Sequence, residues 1–329
     1  MDYAGRYQCF DFSQIRTYPI RERPNVLKLD QLVHPQDSLG AAKRWPHDGL
    51  REVAAAVLAA RAAGRPVILF SGAHIIKLGF SPLVIDLRRR GLITLFATNG
   101  AGSIHDFELS LIGETSESVP NALPQGLFGM AEETGAYMNA ALQAGERERL
   151  GYGESLGRLI ATGQPLGVDC PYRDISILGQ AYALGIPATV HATIGTDIID
   201  QHPTFDGAAK GGTSGRDFGI FANEVAKLAG GGVVLNIGSA VTGPEVLLKT
   251  VSMASNIGKP PTGLITANFD LRGATPEEIK STTQVKYYYR DMKSIVTRIP
   301  QAFRGRGTMI EGDFLQSVPA LHDLLTRRE

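Results

Sequence analysis

The sequence predicts an α/β protein built on a doubly wound, mostly parallel, Rossmann-like sheet with helices on both faces. Two observations carry this. Short apolar runs alternate with amphipathic helical segments along most of the chain, as expected when helices cross over between parallel strands. Glycine makes up 38 of 329 residues, well above the ~7% of an average chain, and it clusters just after those segments. With 43% hydrophobic residues and no G-x-y period, disorder and collagen are excluded, so the glycines belong to turns.

In chain order, residues 48–63 read as a helix with Asp48 as N-cap, Leu50, Val53 and Val57 on one face, and Gly64 closing it. Residues 66–70 are apolar throughout and read as a strand covered on both faces, ending in Ser71-Gly72-Ala73-His74. A helix over 82–90 places Arg88, Arg89 and Arg90 at the negative end of its dipole, and Gly91 stops it. The strand 92–97 ends in Asn99-Gly100-Ala101-Gly102. A charged helical stretch covers about 130–161, followed by a helix over 174–184 and a strand over 188–194 ending in Gly195-Thr196-Asp197. Residues 200–216, rich in glycine, read as a loop long enough to act as a lid. Then come a helix over 217–228, a strand over 232–237 and Gly238-Ser239. A helix over 244–256 has Pro244 at N1, where a missing N–H is harmless. The strand 262–267 and a terminal helix over 313–327 complete the series. Residues 1–60 are expected to form an N-terminal helical extension, and 61–329 the Rossmann-like catalytic domain.

Charge and cysteine usage narrow the partners. Lys+Arg and Asp+Glu both total 33, without the basic excess of a nucleic-acid or membrane-surface binder. Two cysteines, Cys9 and Cys170, make no disulfide framework, so a reducing, cytoplasmic setting is expected. The start shows no leader pattern, and no run of 18 apolar residues occurs. G-x-x-x-x-G-K-[ST], G-x-S-x-G and C-x-x-C are absent, which disfavours a P-loop ATPase, an α/β-hydrolase and a dithiol redox enzyme. A small-molecule substrate is the expected partner.

Open α/β sheets bind ligands outside the carboxyl ends of their strands, so the polar tips hold the candidates. Asn99, Gly100 and Gly102 form a G-x-G turn between a strand and a helix, where bare N–H groups can approach a pyrophosphate. A plain tight turn reads equally well, because His105 replaces the third glycine of the fingerprint. His105 and Asp106 sit near the helix start; either can reach a ligand, and Asp106 also suits the helix dipole. His74 is a candidate proton carrier. Lys77 is a candidate anion binder or Schiff-base nucleophile, or else a solvated lysine. His191, Thr193, Asp197, Asp200 and His202 surround a third tip. Asp197 and Asp200 share a helical face and can hold a cation: an amine, a hydroxyl network or a metal. Their spacing matches no recognised metal signature, although His105, His191 and His202 converge if the tips meet. Tyr287-Tyr288-Tyr289 reads as an edge strand or packing feature.

Taken together, the series VILFSGAHIIKLG, LRRRGLITLFATNGAGSIHDFELSL, DISILGQAYALGIPATVHATIGTDIIDQH, GGVVLNIGSAV, ITANFDLRG and GTMIEGDFLQSVPALHDLL resembles the deoxyhypusine synthase family, over roughly residues 60–325. The resemblance implies an NAD-binding sheet and a homotetramer with active sites at dimer interfaces. It also implies NAD-dependent oxidation of spermidine, followed by aminobutyl transfer through an imine on a catalytic lysine. By position, Asp197 matches a carboxylate that grips the polyamine ammonium. Asn99 to His105 match the NAD-contacting turn, with His105 where the family has glutamate. Ser71, Gly72, Thr193, Gly238, Ser239 and Asp270 complete the expected cofactor-binding set. The departure follows Gly238. Where the family reads a glycine run and then its lysine, this chain has Gly243 at or next to that position, and Lys249 lies further on in a helix. Losing that amine removes the covalent carrier.

The expectation is therefore an NAD-binding enzyme acting on a small polar or cationic substrate, by oxidation or group transfer without the lysine imine. Its catalytic set would be His105, His74, Lys77, Asp197 and Glu245. A metal-assisted hydrolase or lyase at the same strand ends, and a non-catalytic nucleotide sensor, are the alternatives.

Overall fold

The computed structural model describes residues 3–275, 277–279 and 282–327. An antiparallel pair joins β1 (Asn25–Lys28) to β4 (Glu114–Glu117). The main sheet contains β2 (Val67–Ser71), β3 (Leu95–Asn99), β5 (Ala188–His191), β6 (Val233–Ile237), β7 (Ile265–Asp270) and β8 (Arg306–Glu311). Its order is β5-β3-β2-β6-β7-β8, and every pairing is parallel. Counting only these strands, that is 3-2-1-4-5-6, the Rossmann order, with its reversal between β2 and β6.

Side-chain alternation shows why the apolar strands lie inside. In β2, Val67 and Leu69 enter one core with Leu50, Val53 and Val57 of the Asp48–Ala62 helix. Ile68 and Phe70 enter the other core with Phe221 of the Gly207–Val225 helix and Leu247 of the Thr242–Asn256 helix. A period of two on a doubly covered sheet requires continuous hydrophobicity, which is the pattern β2 shows. The expected boundary at residue 60 falls inside the Asp48–Ala62 helix, whose buried face shares a core with the sheet.

Several boundaries differ from expectation for identifiable reasons. Asp48 is the first helical residue, and His47 is the N-cap, its Nδ1 accepting from Leu50 N at 3.2 Å. The 130–161 stretch is two helices, Glu132–Arg147 and Tyr152–Thr162. Pro244 is the third residue of its helix rather than N1. Tyr287 and Tyr288 lie in a short 3-10 turn rather than a strand. Lys293 Nζ sits 3.7 Å from the Tyr287 ring centroid, and Arg272 stacks on Tyr289.

The largest correction concerns the expected lid. From Gly207 onward the segment is helix, running to Val225. Asp206 caps it by accepting from Ala208 N at 2.9 Å and Ala209 N at 3.1 Å. Its buried face carries polar side chains, Lys210, Thr213 and Asp217, so the hydrophobic period that reveals most helices is missing. A Cβ on Gly212 would displace the Glu146 carboxylate that pairs with Arg216, whereas Gly215 faces open space. Gly215→Ala should therefore raise stability by about 0.5–1 kcal/mol, read as a higher urea midpoint at unchanged slope. A mobile loop would show no such gain.

Candidate functional site

A cavity of about 220 Å³ opens at the carboxyl ends of β2, β3 and β5, lined by Arg23, Lys77, His105, Glu117, Phe128 and Asp197 among others. Three of the five expected catalytic residues, His105, Lys77 and Asp197, thus share one cavity.

His105 lies in the Gly100–Ile112 helix, three residues before Glu108, so both project from one face. Glu108 is 1% exposed. Its carboxylate accepts from Arg23 Nη1 at 2.9 Å and Nη2 at 2.7 Å, from Thr134 Oγ1 at 2.8 Å and from Thr115 Oγ1 at 2.5 Å. Burial pushes its pKa up, but the Arg23 guanidinium and these bonds prevail and hold it below the usual range. Because the Thr115 hydroxyl donates to Glu108, its oxygen is left to accept from His105 Nδ1, 2.8 Å away. That assigns the proton of the neutral ring to Nδ1 and the lone pair to Nε2. Burial lowers the His105 pKa to about 4, with Glu108 opposing, so the ring is neutral at physiological pH.

Beside it, the Glu117 side chain is 7% exposed. Its Oε1 accepts from Gly129 N at 2.9 Å, and Oε2 has no hydrogen-bond partner among the described residues. Burial raises its pKa. Lys77 is exposed at the cavity rim.

Asp197 is not free to hold a substrate ammonium. Lys210 Nζ lies 2.7 Å from Asp197 Oδ2 and 2.5 Å from Asp200 Oδ1, and it also donates to the Thr193 carbonyl at 3.1 Å. The cation expected between these acids is the chain's own. The same carboxylate closes the 99–102 turn, since a Cβ on Gly100 would overlap it. Gly102 is packed against the Thr98 hydroxyl, and its N–H donates to Asn99 Oδ1 at 2.9 Å. The turn therefore does not fit a pyrophosphate: side chains fill its glycine space and a negative charge sits over it.

The other expected residues lie apart from this cavity. His74 is exposed, edge-on to Phe314, with its pKa lowered by burial and then by Lys77. Glu245 pairs with Lys249 and, at 2.8 Å, with Arg290, beside a different groove that Thr193 also lines. Asp270 is tied to Arg272 at 2.6 Å. Ser71 is fully buried, a Cβ on Gly72 would overlap the Gly238 carbonyl, and Ser239 Oγ accepts from Gly243 N at 2.9 Å. Gly243 is held against Asn236 Oδ1 and Phe70, leaving no room for a lysine there. Asp106 is interior and caps the Ile177–Leu184 helix region, accepting from Ser176 Oγ at 2.5 Å, Ile177 N at 2.7 Å and Leu178 N at 3.0 Å. His191 stacks on Phe70 and His202 bonds Thr204, so neither joins His105. Among the described residues no group of three His, Cys, Asp or Glu side chains could hold a metal ion, and no helix is long and apolar enough to cross a membrane. Ser38, His322 and Asp86 do meet, at 2.7 and 2.9 Å, but Ser38 is fully buried, beyond the reach of a substrate.

Arg23, Glu108, Thr115, Glu117 and Lys210 were not anticipated. Only Glu108 carried a signal, its i,i+3 spacing from His105.

No family model and no curated protein matches the sequence. Among solved structures, the chain is similar to a ternary complex of AgrE with ornithine and NAD+ (13% identity, TM-score 0.49). It is also similar to ArgZ, an arginine dihydrolase from the ornithine–ammonia cycle in cyanobacteria (12% identity, TM-score 0.47). Each match covers 84% of this chain and 32% of the other, so the chain spans about a third of their length. A putative deoxyhypusine synthase from Entamoeba histolytica matches at 7% identity and TM-score 0.42, over 79% of this chain and 74% of that one. These likenesses do not establish membership in a family.

Two outcomes follow. Arg23→Ala leaves the Glu108 charge buried without its cation and should cost about 3–5 kcal/mol of stability, measured by urea unfolding. Because the folded His105 pKa is depressed from 6.5 to about 4, its neutral form contributes stability above pH 6.5 that is lost as pH falls toward 4. His105→Gln should flatten that part of the stability–pH curve, and an unchanged slope would show that His105 is not desolvated.

Proposed function

We propose that this chain is an enzyme that takes up and returns a proton on a small polar substrate at the carboxyl ends of β2, β3 and β5. The observation that supports it is the His105–Thr115–Glu108–Arg23 series, which fixes the ring tautomer while the ring lines a cavity. In this reading Nε2 is the general base. A neutral imidazole can accept a proton at any pH above its own pKa, and the Nδ1–H bond stabilises the cation that forms. The Lys77 ammonium at the cavity rim faces the negative charge that develops as the proton leaves. A cavity of about 220 Å³ suits a small molecule and is below the ~300–1,000 Å³ usual for larger ligands.

Oxidation or group transfer with NAD is the second reading. The Rossmann strand order favours it, with a dinucleotide lying across the β2–β6 reversal rather than in the 99–102 turn. Calorimetric titration with NAD+ decides it: saturable binding supports this reading and a flat titration removes it. The resemblance's homo-oligomer belongs to the same proposal. Val119 at the cavity and Phe10 in the adjoining groove are 42% and 66% exposed, an apolar surface suited to a second copy.

Proton abstraction is tested without knowing the full reaction. Small hydroxy acids, amines and amides are incubated with the protein in D2O, and NMR follows C–H to C–D exchange. His105→Ala should slow exchange by about 10²–10⁴-fold with an unchanged far-UV spectrum, and the acid limb of the rate profile should fall near pH 4. Exchange at the wild-type rate in His105→Ala would place the chemistry elsewhere. Saturable binding without exchange would mark a sensor.

A further inference from the structure

Asp197 is the N-cap of the short Ile198–Gln201 turn after β5 and Asp200 is its third residue, a capping-box arrangement that holds the two carboxylates close together. Asp200 Oδ2 accepts from Gly195 N at 2.7 Å and Asp197 N at 3.4 Å, leaving Oδ1 for a donor. Lys210 enters from the first turn of the Gly207–Val225 helix, and its ammonium meets Asp197, Asp200 and the Thr193 carbonyl at 2.7, 2.5 and 3.1 Å. An ammonium has three N–H donors, and these acceptors use all of them. The side chains of Lys210, Asp197 and Asp200 are 1%, 5% and 6% exposed. This is the coordination expected of a bound primary amine, desolvated on every side.

We infer that Asp197, Asp200 and the Thr193 carbonyl form an ammonium-binding site that the chain fills in cis with Lys210, making Lys210 a specificity-determining residue that turns external primary amines away. Two further features support this. Lys210 borders an open groove of about 500 Å³ together with Thr193, Gly211 and Ser214, so the buried ammonium lies one side chain away from a solvent-filled surface. Asp197 also lines the His105 cavity, so its pairing decides which substrates find a free carboxylate there. With Asp197 paired internally, and with Glu108 and Glu117 facing Arg23, no carboxylate lining the His105 cavity lacks a cation of the chain's own. The inference holds whatever reaction His105 performs.

Chemical rescue tests it. Lys210→Ala strands two buried carboxylates and should lower the melting temperature by about 5 °C or more. Propylammonium chloride, the fragment this substitution removes, should restore about half of that loss or more, saturably, while tetramethylammonium and sodium chloride at equal concentration do not. Wild-type protein should show no saturable shift with propylammonium. Rescue no better than with sodium chloride, or equal binding to wild type, overturns the inference. Should Lys210→Ala not fold, Lys210→Met supplies the readout. Adding Asp197→Asn and Asp200→Asn must then raise its melting temperature, and failure to do so is equally decisive against a paired ammonium site.

Discussion

A carboxylate sealed from water must be paired or hydrogen-bonded, and at the wall of this cavity the most deeply sealed one is Glu108, 1% exposed. Desolvating it costs several kcal/mol, which neighbours have to offset. Three separate pieces of chain supply them to the Gly100–Ile112 helix that bears Glu108: Arg23 ahead of β1, Thr115 on β4, and Thr134 in the Glu132–Arg147 helix. Satisfying Glu108 therefore fastens the amino-terminal chain to the strand ends and encloses the cavity. The Thr115 oxygen, whose hydroxyl donates to Glu108, accepts in turn from His105 Nδ1, so structural necessity and candidate chemistry share one set of bonds.

The Lys210 cluster does the same for the opposite wall. Its ammonium pairs with both Asp197 and Asp200 and holds the loop after β5 over Gly100. Glycine at 100 and 102 then has a packing explanation: a carboxylate and a hydroxyl of this chain occupy the space a ligand phosphate would need. Much of the glycine excess reflects close approach between the protein's own parts, as at Gly72 against Gly238, and not exposure toward a dinucleotide.

The sheet was legible because its signal is local. VILFS, LFATN and VVLNI are short apolar runs closed by turn residues, and their alternation with helices leaves few topologies. Part of the site was legible for the same reason, since His105, Lys77 and Asp197 follow strands and strands define the ligand edge. The rest was hidden by distance or by disguise. Arg23 lies 85 residues from Glu108, in a segment with no motif of its own. Thr115 looks like any strand threonine. Lys210 sits among glycines and buries a polar helical face, so neither propensity nor hydrophobic period marked it as interior. The pairing of Asp197 with Lys210 was not legible, because a carboxylate seeking a cation does not disclose whether that cation comes from outside.

The account rests on His105 being a neutral base with its proton held on Nδ1. Nitrogen-15 NMR of histidine-labelled protein reads this directly, through the shifts and proton couplings of the two ring nitrogens. The predicted result is a protonated Nδ1 and a bare Nε2, unchanged from about pH 8 down to about pH 5, with protonation of Nε2 only near pH 4. A ring protonated on Nε2 instead, or an imidazolium already present at pH 7, would contradict the account.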